Sequence, residues 1–239
     1  MVSAMAIVCV LAAGPWTGQE VRSLGYLWSV DNQQACPYEL REGDLILATS
    51  KDKFYSVIWT LARTGHPYHS ALVVRRSSGE LEVFEVGGAG ARSSTLRHPV
   101  DRLTALMQEY AGHDPAAWVR QRRVPLTPDE SARLTRFAET QVGKGFVTNQ
   151  EFGRMVLPRG RSSLSGGIDQ SRWFCSELIV GAMVYAGLLP EPTPNPGRIM
   201  PRDMFFDSRI DLSGSWNPPL RWTGDRTPPQ RFEGQPPPP

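Results

Sequence analysis

The chain has 239 residues, 40% hydrophobic and 21% charged, a composition that excludes an intrinsically disordered protein and admits one large domain or two small ones. Its 26 basic and 24 acidic side chains leave a formal charge of only +2, without the concentrated basic face that nucleic acid demands. The densest basic run, Arg120, Arg122 and Arg123, reads as a solvated surface turn.

In chain order, the first feature is an apolar run at residues 4–14, of signal-peptide length but without the preceding positive charge. It reads as a signal-like segment or a packed terminal one, which leaves the location, cytoplasmic or exported, open. Residues 15–42 look like an irregular lead-in. Gly43-Asp44 is a turn signal and Leu45 to Ala48 a buried-strand signal. Residues 54–62 are a short helix or strand that periodicity does not separate. Ser70 to Arg75 and Leu81 to Val86 form the clearest strand pair, joined at Ser77-Ser78-Gly79. Alternation along the second strand sets Val83 and Glu85 on one face, with Phe84 and Val86 on the other. Residues 100–110 read as a short helix and 118–124 as another strand.

Thr127, Pro128 and Glu130 make a capping box with proline in the first turn, so a helix starts there and runs to Gly143. Residues 153–169 are a Gly-, Ser- and Arg-rich loop. Phe174 to Leu189 is apolar all round, as expected of a helix buried at the centre of a domain, with Asp169 or Ser171 available as cap. Met200 to Phe206 is a short helix opened by Pro201. From Trp216 onward proline and glycine dominate, and the chain closes in a polyproline tail.

Three cysteines, Cys9, Cys36 and Cys175, are too few for a disulfide framework and lack CxxC spacing; one Cys9–Cys36 bridge stays open. The four histidines, His66, His69, His98 and His113, include no HExxH motif. Nothing in the spacing calls for a metal or another cofactor. Cys175, however, falls in the first turn of the buried helix, where unpaired N–H groups and the helix dipole favour a thiolate and can stabilise an oxyanion. His69 stands at the mouth of a strand, placed to act as base, with His66 as its rival. Glu85, on the partner strand, can orient the imidazole. Asp44 is read as a turn-holding carboxylate, and Glu177, two residues after Cys175, points away from the thiol.

Taken in order, GDLI at 43–46, YHSALVV at 68–74, FEV at 84–86 and WFCSELI at 173–179 resemble the permuted branch of the NlpC/P60 papain-like superfamily, the YiiX-like amidases. MPRDMFFDS at 200–208 resembles the segment that closes that domain. The resemblance implies an α+β fold, a circularly permuted papain-like arrangement with an antiparallel sheet packed on a central helix. It divides the chain into a lead-in (1–39), a permuted papain-like domain (40–210) and a Pro-rich tail (211–239). It implies a catalytic set of Cys175 as nucleophile, His69 as base and Glu85 as orienting carboxylate. The activity it implies is a thiol-dependent cysteine hydrolase, cleaving amide or peptide bonds through an acyl-enzyme, with cell-wall peptides as one substrate class. A lipid ester or thioester hydrolase, an acyltransferase and a non-catalytic binding module stand as alternatives. The expected partners are a peptide, amide or acyl-lipid substrate and a ligand for the proline tail, with no nucleic acid and no transmembrane segment. Ser70 after the histidine and Val86 after the glutamate depart from the family pattern.

Overall fold

The computed structural model describes residues 25–39, 41–49, 65–87, 90–93, 116–148, 151, 171–190, 192 and 195–229. They form a mixed α+β fold around an antiparallel sheet. Its strands are β1 (Tyr26–Trp28), β2 (Ala35–Pro37), β3 (Leu45–Ala48), β4 (His69–Arg75), β5 (Leu81–Gly87), β6 (Gly90–Ser93), β7 (Ala117–Arg120) and β10 (Leu220–Thr223). The order across the sheet is β2-β1-β10-β7-β3-β4-β5-β6. A parallel pair of two-residue strands, β8 (Gly145–Phe146) and β9 (Arg172–Trp173), stands apart from it.

The sheet is buried on both faces, which explains why its central strands read as continuous apolar runs rather than as alternating ones. Leu45, Leu47, Leu72, Val74, Phe84, Val86 and Trp118 point to one side and join the larger core; Ile46, Ala71, Val73, Val83, Ala117 and Val119 join a second cluster with Tyr38 and Trp222. The larger core is completed by α1 (Pro128–Gln141) and α2 (Cys175–Ala186). Helix α1 starts as its sequence dictates: Thr127 Oγ1 accepts from Glu130 N, and the Glu130 carboxylate accepts from Thr127 N at 2.7 Å. Helix α2 ends at Gly187, whose φ of +74° suits glycine. Arg133 of α1 donates from Nε and Nη2 to the Ala186 carbonyl and so satisfies an orphan acceptor at that end.

The Gly43-Asp44 turn ties sheet to loops. Gly43 has φ +87°, and a Cβ there would crowd Arg122 Cδ. Its N–H donates to Val73 O at 2.8 Å, and its carbonyl accepts from Trp216 Nε1 at 2.8 Å. The fully buried Asp44 carboxylate accepts from the backbone N–H groups of Arg122 (2.9 Å) and Arg41 (3.2 Å). Burial pushes its pKa up to about 7, against the pull of those two N–H groups and the Arg41 charge. It is the turn-holding residue the sequence indicated.

Four expectations change. The lead-in holds strands β1 and β2 rather than irregular chain. Residues beyond Trp216 are not a loose tail at once: Trp216 is fully buried and β10 lies between β1 and β7. Arg120 is not solvated; it is 1% exposed and ion-paired with Asp207 at 2.6 Å, while Arg122 lies over the Trp216 ring. Ser171 does not cap α2, whose N-cap is Phe174 without a side-chain hydrogen bond, and Asp169 lies outside the described residues. The apolar run at 4–14, the segments at 54–62, 100–110 and 153–169, and the final prolines lie outside the described residues, as do Cys9, His98 and His113. Cys36 is disulfide-bonded. Among the described residues no helix is long and apolar enough to cross a membrane.

Candidate thiol site

Cys175, His69 and Glu85 meet at one end of the sheet. Cys175 is the first residue of α2 and the free cysteine among the described residues. Its thiol donates to the carbonyl of Tyr68, the residue just before β4, at 3.8 Å. His69 opens β4, antiparallel to β3, with Ala48 as its register partner. Its Nε2 lies 2.7 Å from Glu85 Oε2. The hairpin explains that contact. Leu72 faces Phe84 in register, which sets Glu85 opposite Ala71, on the same face as His69 and diagonal to it.

His69 also hydrogen-bonds the Cys175 side chain. Burial opposes charge on this ring, but the hydrogen bonds to Cys175 and Glu85, and negative charge on either neighbour, outweigh it and raise the His69 pKa to about 10. The ring therefore keeps its proton through neutral pH. It is the middle member of a row whose sulfur end is closed, at 2% exposure, and whose imidazole and carboxylate ends reach solvent, with side chains 15% and 10% exposed.

His66 makes a different contact. Its Nε2 pairs with the Tyr68 hydroxyl at 2.7 Å, and the two rings lie 4.0 Å apart. Burial, then the Arg202 charge, lowers its pKa, so it stays neutral where His69 is charged. Glu177, on the first turn of α2, is fully buried. Sequence reasoning missed Tyr68 and Arg202: the first acts through its backbone carbonyl and the second comes from a segment some 130 residues further along, so no local pattern marks either. A cavity of about 420 Å³ lies elsewhere, between the β4–β5 turn and α1, against Arg76, Ser77, Arg136 and Glu139.

No family model and no curated protein matches the chain. Among solved structures it is similar to the crystal structure of YiiX from Escherichia coli O157:H7. The two share 20% identity and a TM-score of 0.43, over 62% of this chain and 67% of that one. That protein is described as a metalloprotein.

The comparison corrects the functional expectation. The protein found is described as a metalloprotein and not as a cysteine hydrolase, and among the described residues no group of three or more His, Cys, Asp or Glu side chains is placed to hold a metal ion. The thiol-dependent amidase or peptidase reading is therefore withdrawn.

Proposed function

We propose that Cys175, His69 and Glu85 form one thiol-reactive site, in which the sulfur bonds a soft electrophilic centre of a small ligand. In this reading Cys175 supplies the electron pair, His69 holds a proton at Nδ1 for the departing group, and Glu85 fixes the ring through Nε2. The observation that carries it is the His69–Glu85 contact at 2.7 Å, made by the same imidazole that hydrogen-bonds Cys175. An imidazole turned to a carboxylate by one nitrogen and to sulfur by the other is fixed in both tautomer and direction. The ligand enters from the imidazole and carboxylate side, where the His69 and Glu85 side chains keep 15% and 10% of their surface exposed. Cys175 and His69 are two donors only, with Glu85 spent behind the ring, so the row does not fit a closed structural metal site, which takes four.

We assign the fold to the permuted papain-like arrangement, with the hairpin bearing the imidazole first and the helix bearing the cysteine last. A net charge near zero gives nucleic acid no preferred face.

The test is alkylation of the native protein with iodoacetamide, the modified peptide being identified by mass spectrometry. Cys175 in the wild type should label, and His69→Ala should slow that labelling about tenfold, the scale of losing one positioned proton-handling group. A Cys175 that is inert in the native protein, or that labels at the same rate without His69, refutes the assignment.

A further inference from the structure

One cation beside the thiol row takes no part in it. Ser176, next to Cys175, donates from Oγ to the Ile199 carbonyl at 2.6 Å, and this pins the segment leading into α3 (Pro201–Phe206) against the start of α2. Arg202 sits in the first turn of α3. Its guanidinium lies over the Phe206 ring, 5.0 Å from the centroid, and packs against Gly65 so closely that a Cβ there would collide with Nη1. Gly65 leads through His66 and Pro67 to Tyr68, whose carbonyl accepts from the Cys175 thiol. Arg202 thus packs on the loop that ends at the carbonyl bonded to the thiol.

The arginine is exposed, and among the described residues it has no carboxylate partner. The nearest candidate in sequence, Asp203, is already engaged: it accepts from Met200 N at 2.9 Å and from Ser208 Oγ at 2.8 Å, with Arg209 at 3.7 Å. A guanidinium held over an aromatic ring, with no carboxylate partner among the described residues, is suited to bidentate recognition of an oxyanion. The His66–Tyr68 pair beside it adds a polar rim.

We propose that Arg202 is the anion-recognition residue of the thiol site, so that the ligand reaching Cys175 carries a carboxylate or a phosphate. This rests on the thiol-reactive reading above and adds the ligand's charge to it.

The test compares iodoacetate with iodoacetamide on the native full chain. Both form the same bond, sulfur to carbon, and expel iodide; they differ in carrying an anion or a neutral amide. The iodoacetate-to-iodoacetamide rate ratio at Cys175 should fall at least fivefold in Arg202→Gln and hold in Arg202→Lys, which keeps the charge. Inorganic phosphate and acetate are then tried as protectants of the wild type against iodoacetate. Protection by phosphate alone assigns a phosphate ligand, and protection by acetate alone a carboxylate. An unchanged ratio in Arg202→Gln, with both reagents still labelling Cys175, overturns the role of Arg202 and leaves the thiol site standing, as does failure of both anions to protect. Failure of both reagents to label the wild type refutes the thiol site itself.

Discussion

His69 carries a large electrostatic consequence. Its folded pKa lies above the ordinary 6.5, at about 10, so its contribution to stability is fully present below about pH 6.5 and is lost as pH rises through about 10. Glu85→Gln removes the negative partner while keeping a polar side chain of the same size. We expect the His69 ring to titrate well below the wild-type value, followed by the NMR shift of its C–H protons. Chemical denaturation at pH 6 should show a loss on the order of 1–3 kcal/mol, the cost of breaking a charge-assisted bond in a partly buried pair. The loss should shrink by pH 10, where the wild-type ring is also losing its proton. A variant with the wild-type titration curve would mean that sulfur alone sets the ring's charge.

At the scale of elements, α2 and β7 are the parts whose support is most specific. Helix α2 carries a glycine, Gly181, in its middle turn, facing Trp173 and Phe137. A Cβ there would sit 3.5–3.6 Å from those rings, at ordinary contact distance. Gly181→Ala should therefore stabilise the protein by about 0.5–1 kcal/mol through helix propensity alone, read as a rise in the urea midpoint with an unchanged slope. Strand β7 is held from the other side by Arg120. That side chain donates to the carbonyls of Asn217 (3.0 Å) and Met204 (2.7 Å) and to Asp207 (2.6 Å). Asp207→Ala leaves a buried guanidinium without its counter-ion. The expected loss is about 3 kcal/mol, the low end for a broken buried pair, because Asp207 is itself 30% exposed. Equilibrium unfolding checks it.

The whole molecule is closed by its late segment. Trp216 reaches back to the Gly43 carbonyl, and β10 supplies the hydrogen bonds that join β1 to β7. A chain ending at residue 215 should lose cooperative thermal unfolding, because β1 and β2 would be left without a neighbour on the β7 side and an apolar strand edge would be exposed. Circular dichroism against temperature checks this; a sharp transition near the wild-type midpoint would show that the sheet is complete without β10.

The strand at 45–48, the 70–75 and 81–86 hairpin and the helices that begin at Thr127 and Cys175 were legible in the sequence. Each rests on a local signal: a turn pair, alternation, a capping box or a fully apolar run. The faces of Phe84 and Glu85 followed from period-two alternation alone. What stayed hidden was everything set by distant partners. Tyr26–Trp28 and Leu220–Thr223 are three- and four-residue strands, too short to show a period, and they exist because β10 completes a ladder between β1 and β7. Arg120 reads as surface charge until Asp207 and two carbonyls neutralise it. By itself the sequence determined which residues could do thiol chemistry, since side-chain type and position on an element are local properties. Only the tertiary structure decided that Cys175 is buried, that His69 pairs with Glu85 while His66 pairs with Tyr68, and that Arg202 packs on Gly65, because burial and through-space contacts arise when segments far apart in the chain pack together.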